Sequence, residues 1–211
     1  MSPELKKCKI QNSNVQFLSE KNLRVQWLAK LYVHNSSHCI SAYLGSMIKK
    51  KFIHEALENH NIKKIVKECI NELSKMLVKK YNMNKKFVTY YGSKEFKRFS
   101  NKLLFDPITR VAREPFRKLE TKERLIGAAN ECLSVGIEPK ALSIGIISAI
   151  NYNNTKDEDS NLKILRKALS IENFLKIILN LNDNEPLYQF LIKNWKINNM
   201  RLKLIKNGHR K

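Results

Sequence analysis

The stretch KLYVHNSSHCISAYLG, residues 30–45, places a lysine, two histidines and an asparagine within nine residues. On a helix at about 100° per residue, Lys30, His34 and His38 fall at i, i+4 and i+8 on one stripe. Asn35 lies beside His38 on the same half of the cylinder. Four such side chains facing one cleft could act on a hydroxyl or a carbonyl. A lysine in a partly dry cleft loses some of its preference for the charged form and can accept a proton. A histidine can orient and hydrogen-bond the same oxygen. An asparagine amide offers N–H donors to developing alkoxide charge. Two other readings fit the same spacing. In a chain this rich in lysine the four can be solvated polar residues, and His34 and His38 have the i, i+4 spacing of helical zinc ligands. No HExxH glutamate accompanies them, and no third ligand is obvious.

A second group is basic: Arg110, Arg113, Arg117, Lys118 and Arg124 fall within fifteen residues. Arginine binds carboxylate and phosphate through two parallel hydrogen bonds, so the cluster suits a phosphorylated substrate. It also suits a solvated basic face or part of a nucleic-acid footprint. Phe116 alone does not make an aromatic platform for bases.

The elements that must position these groups are helical. Glycine (six) and proline (five) are scarce in the 211 residues, which favours long helices with few special turns. Apolar residues make up 43 %, enough for a sizeable core. Apolar periodicity predicts helices over 22–45, 53–59 and 62–81, and Ser93 is the expected N-cap of another through Phe99. Pro107 and Pro115 cut a basic connector, DPITRVAREPFRKL. Thr121 is the expected N-cap of a helix through Val135, closed by Gly136. Pro139 opens a short, almost wholly apolar helix that reads as a buried core element. A polar loop, NNTKDEDSN, leads to helices over 161–181 and 186–195. No strand alternation and no repeat stands out. The expectation is an all-α, compact, bundle-like domain of seven to nine helices, with an irregular lead-in (1–21), a helical body (22–196) and a loose basic tail (197–211).

The composition bounds function as well. No run of about 18 apolar residues offers a membrane span, and MSPELKKCKI lacks the apolar core of a signal peptide. Cys8, Cys39, Cys69 and Cys132 form no CxxC pair, so reduced thiols and a cytoplasmic setting are expected. Neither GxGxxG nor GxxxxGK[ST] occurs, so no nucleotide phosphate loop is visible. The formal charge of +21 points towards polyanions, yet its lysines are spread along the whole chain. It is read as a compositional bias that gives nucleic acid only nonspecific affinity.

Lys30, Asn35 and His38, with the flanking Leu31, Tyr32, His34 and Ala42–Gly45, resemble the K-x-x-x-x-N-x-x-H segment of the polyol-specific long-chain dehydrogenases, the mannitol dehydrogenase family. DPITRVAREPFRKL, ERLIGAA, GIEPKALSIGIISAINY and LYQFLIKNW are similar to stretches of that family's mannitol-phosphate members, in the same order. The resemblance runs from about residue 22 to 195.

It implies a C-terminal helical domain that carries catalysis and substrate binding, beside an N-terminal Rossmann domain that binds NAD, with no catalytic metal. Lys30 would be the general acid/base, Asn35 the alkoxide stabiliser and His38 the residue that orients the substrate oxygen and the lysine. Arg110 and Lys118 would contact the far end of the polyol, Arg113 would reach the phosphate, and His34 would join in binding substrate. The implied reaction interconverts mannitol 1-phosphate and fructose 6-phosphate. Two departures stand out. Where the family commonly has Gly-His in this helix, the chain reads Ser37-His38. No βαβ unit is visible either, so NAD would be held mainly by a Rossmann domain outside these residues, such as a separate chain. The alternative is a degenerate basic helical module that binds nucleic acid or a protein without turnover.

Overall fold

One helical rod, running from residue 20 to residue 47, supplies both the centre of the core and one wall of the site. The computed structural model describes residues 19–153 and 162–208. Helix α1 (Glu20–Leu28) is capped by Ser19, whose Oγ accepts the Asn22 N–H at 3.3 Å. The rod continues as a π-helical segment (Ala29–Ser36) and then as α2 (Ser37–Met47). Every residue from Cys39 to Gly45 is buried. This explains the apolar run CISAYLG: α2 packs against other helices on all sides rather than along one stripe.

Around it lie α3 (Ile53–Glu58), α4 (His60–Tyr81) and α5 (Lys85–Phe99). Asn59 and Asn84 cap α4 and α5 through their side-chain oxygens. Asn82 ends α4 in the left-handed conformation, at φ 51°, which asparagine tolerates better than most residues. A single 3-10 turn (Lys102–Leu104) leads to two short helices, α6 (Ile108–Ala112) and α7 (Pro115–Lys118). Then come α8 (Ile126–Leu133) and α9 (Lys140–Ile150). Past the undescribed 154–161 lie α10 (Leu162–Ala168), α11 (Ile171–Asn173) with a π turn (Phe174–Ile178), and α12 (Pro186–Gly208).

The protein is all-α: among the described residues the only β feature is an isolated bridge between Phe52 and Pro107. Helix α9 is buried from Ala141 to Ile150 and packs against α2, α4, α8 and α12. Gly145 makes the approach to α2 possible, since a Cβ there would lie 2.4 Å from Ile40 Cγ1. No described helix is long and apolar enough to cross a membrane. Cys39, Cys69 and Cys132 are free and buried, while Cys8 lies outside the described residues.

Several boundaries differ from the sequence expectation. Ser93 is not a cap, because Asn84 starts α5 nine residues earlier. Thr121 is not a cap either: residues 119–125 turn twice before α8 begins at Ile126. The single helix expected over 161–181 is broken at Leu169, and Ser170 caps a new start with Oγ accepting the Asn173 N–H at 3.2 Å. The stretch from 197 onward, expected to be loose, continues α12 to Gly208. Asn198, Leu202 and Ile205 extend its buried stripe at 4- and 3-residue spacing. Asn198 also donates to Ser143 Oγ of α9 at 2.9 Å. The lysines and arginines between these positions mask the stripe in the sequence.

Candidate active site

The π segment sets the site. In a π turn the hydrogen bond spans i to i+5, so residues five apart, such as Lys30 and Asn35, come towards one line. In an unbroken α-helix they would stand about 140° apart. Serines anchor the transition back to α: Ser37 Oγ bonds the Val33 carbonyl, and Ser36 Oγ donates to the Arg124 carbonyl at 2.6 Å. The second bond ties the rod to the basic segment across the cavity.

All seven side chains singled out by the sequence line one cavity of about 680 Å³: Lys30, His34, Asn35, His38, Arg110, Arg113 and Lys118. Seven lining residues are Lys or Arg, and Asp106 is the one lining carboxylate. The positive potential suits an anionic, oxygen-rich ligand. Lys30 is exposed and Asn35 half-buried. Among the described residues neither side chain has a hydrogen-bond or ion-pair partner. The dry surroundings expected for Lys30 are therefore not built by the described residues.

The two histidines are held differently. His34 Nδ1 lies 2.6 Å from Oε2 of Glu95, a buried carboxylate on α5. Burial lowers the pKa of His34 below its ordinary value, against the opposing pull of that carboxylate. His38 Nε2 lies 2.8 Å from Asp106 Oδ2, with the carboxylate off the axis of the ring N–H. The His38 ring stacks on Phe99 at 4.7 Å between centroids, within 3° of parallel. Asp106 Oδ1 also takes an ion pair from Arg110. Burial works to raise the Asp106 carboxyl, but its contacts with His38 and Arg110 hold it below its ordinary value.

The segment bearing Asp106, Arg110 and Arg113 is firmly fixed. Phe105 and Glu114, at its two ends, both take positive φ, 43° and 55°. Ile53 N–H bonds the Asp106 carbonyl at 3.0 Å, and Ile108 N–H bonds the Lys51 carbonyl at 3.0 Å. Lys118 plays a different part from the one its sequence position suggested. It is buried, and its ammonium donates to the carbonyls of Val111 (2.9 Å) and Arg113. Burial brings its pKa down to about 8. It closes the turn between α6 and α7 and keeps one donor for a ligand. Arg113 is exposed, with only a loose contact to Glu114 at 3.9 Å.

Sequence reasoning missed Glu95, Phe99 and Asp106. Glu95 had a visible signal: with Val88, Gly92 and Phe99 it falls on the apolar stripe of α5, where an unpartnered acid would be costly. The zinc reading of His34 and His38 gains nothing, since no group of three or more potential ligands is arranged for a metal among the described residues.

Residues 25–184 match the family model for the mannitol dehydrogenase C-terminal domain. The chain belongs to this family of oxidoreductase domains. It is 35 % identical over 164 residues to the mannitol-1-phosphate 5-dehydrogenase of Exiguobacterium sp. (77 % of this chain, 43 % of that protein). The enzyme of the same name from Bacillus subtilis is 32 % identical over 165 residues, covering 78 % and 43 %. The chain thus spans less than half the length of these relatives. Among solved structures it is similar to Pseudomonas fluorescens mannitol 2-dehydrogenase in its ternary complex with NAD and D-mannitol. There the TM-score is 0.70 at 16 % identity, covering 93 % of this chain and 41 % of that one.

Proposed function

We propose that this chain is the catalytic and substrate-binding part of an NAD-dependent oxidoreductase that interconverts mannitol 1-phosphate and fructose 6-phosphate. The observation that carries the reading is the free pair Lys30 and Asn35 on a wall shared with His38, in a cavity rich in arginine. The named activity of the curated relatives supports the same substrates.

In the oxidative direction Lys30, as the neutral amine, takes the proton of the reacting hydroxyl. The Asn35 amide donates to the oxygen as negative charge builds on it. His38, set by Asp106 and Phe99, orients that oxygen, and His34 lines the cavity beside it. Arg110 and Arg113 hold the phosphate, and the remaining donor of Lys118 binds a polyol hydroxyl. NAD supplies the hydride acceptor when bound. Lys30 and Asn35 are the residues of this chain that would face its reacting end, being unpartnered and accessible. The described residues contain no glycine-rich phosphate cradle, so the rest of the dinucleotide belongs on a Rossmann domain. No metal takes part. The remaining positive charge sits on solvated faces and would hold nucleic acid only nonspecifically.

The test is NADH-dependent reduction of fructose 6-phosphate by the purified chain, alone and mixed with a separately expressed nucleotide-binding half of a relative. Activity on mixing that is lost in Lys30→Ala is expected. No activity with a partner half shown to be folded and bound would overturn the reading.

A further inference from the structure

Arg110, Asp106 and His38 form a continuous chain from the solvent to the inner wall of the cavity. Asp106 gives one carboxylate oxygen to each neighbour: Oδ1 to Arg110 and Oδ2 to His38 Nε2, at 2.8 Å. The ends differ in exposure. The Arg110 side chain is 59 % exposed, while those of His38 and Asp106 are 14 % and 19 % exposed. Arg110 can therefore be drawn away by a ligand, whereas His38, clamped on Phe99, cannot follow.

We propose that Asp106 is a positioning residue that couples capture of the substrate's anionic end by Arg110 to the protonation and orientation of His38. The inference rests on the functional reading above. In the free chain the Asp106 charge is shared between a guanidinium and an imidazole. A phosphate takes up the fork of Arg110, because an anion with several oxygens makes more parallel hydrogen bonds than one oxygen of Asp106. The carboxylate is then left to His38 alone. It faces Nε2 and, as a nearby negative charge, stabilises a cation on the ring. Asp106 faces Nε2, so Nδ1, to which no described residue is hydrogen-bonded, is the nitrogen left for the reacting oxygen. Once protonated it donates to that oxygen. A substrate with an anionic end thus improves the catalytic wall, while a neutral polyol leaves Arg110 on Asp106. The coupling would discriminate in turnover as well as in binding.

Lys30, Arg113, Arg117, Lys118 and Arg124 line the same cavity as His38, and two carboxylates stand nearer to the His34 and His38 rings. Asp106 faces His38 from the segment before α6, with Arg110 behind. His34 faces it from its own rod, at 5.2 Å between ring centroids, with Glu95 and Arg98 of α5 behind that.

The experiment follows the ring nitrogens of His38 by NMR in the ¹⁵N-histidine-labelled chain across its titration. It is run free, with fructose 6-phosphate and with fructose, and needs no NAD. Fructose 6-phosphate should raise the His38 midpoint by about half a unit, a threefold gain in proton affinity, and fructose should not. Arg110→Gln should raise the midpoint by a similar amount without ligand and abolish the ligand-induced shift. Arg110→Lys should restore part of the wild-type behaviour, and Asp106→Asn should lower the midpoint and remove the response. An unmoved midpoint in Arg110→Gln overturns the coupling, and so does fructose 6-phosphate binding that leaves His38 unchanged. If fructose 6-phosphate does not bind at all, the functional reading falls, while the ligand-free Arg110→Gln comparison still decides the coupling.

Discussion

Nδ1 of His34 lies 2.6 Å from Oε2 of Glu95, a contact between residues 61 apart that joins the rod of residues 20–47 to α5. The carboxylate is buried. Removing it should leave the imidazole without its partner and open space beside Phe99. Glu95→Ala is therefore expected to cost about 2–4 kcal/mol, read as a lower urea midpoint with an unchanged slope.

The same histidine sets a pH dependence. Burial holds the pKa of His34 below its ordinary 6.5, so in mild acid the unfolded chain binds more protons than the folded one. Stability should fall as pH drops below about 6.5. Urea unfolding of wild type and His34→Gln at several pH values checks this, and the variant should lose that part of the slope.

Glu72 acts in the opposite sense. Its carboxylate accepts the N–H groups of Ala141 (2.8 Å) and Leu142 (3.2 Å) at the start of α9. Burial nevertheless pushes its pKa from 4.5 to about 7. Here the folded state holds the extra proton, so this group's contribution falls as pH rises from about 4.5 to 7. Glu72→Gln should flatten that window and gain about 2 kcal/mol on wild type between pH 5 and 7.5, after allowance for partial exposure.

Gly145 should tolerate no side chain. Alanine would normally favour a helix by about 1 kcal/mol over glycine. Its Cβ would sit 2.4 Å from Ile40 Cγ1, so Gly145→Ala should instead destabilise by roughly 1–3 kcal/mol. Ile40→Ala in the same chain should recover part of the loss, which a double-mutant cycle would measure.

Lys30 should separate stability from chemistry. It is exposed and unpartnered, so Lys30→Ala should shift unfolding by no more than about 0.5 kcal/mol. Turnover with an added nucleotide-binding half should fall by at least about a hundredfold.

The site was legible to the extent that one segment of sequence held it. Lys30, His34, Asn35 and His38 lie in one rod, and Arg110, Arg113 and Lys118 in one connector, so spacing grouped each set, the second together with Arg117 and Arg124 until the family resemblance narrowed it. That the two sets share a cavity depends on α5 and on α2 packing against α6, which no local pattern states. Glu95 and Asp106 were missed because they matter through contacts 61 and 68 residues away, not through neighbours. The long helices were found from their apolar faces. The errors fell at short helices and caps, where Asn84 rather than Ser93 starts α5 and no side chain caps α8, and in α12, whose buried stripe is hidden among lysines.

The π segment has a consequence for how such a site can change over time. A widened turn is what a helix makes of one surplus residue when its two ends are already anchored, here by Ser19 before it and α2 after it. Deleting one of residues 31–33 would let the rod relax to a plain helix with Lys30 four residues from Asn35 and seven from His38, which keeps all three on one face. The widened turn therefore absorbs a residue that the alignment of these three side chains does not itself need. A relative one residue shorter here, with an unbroken helix, would present the same three side chains on one face.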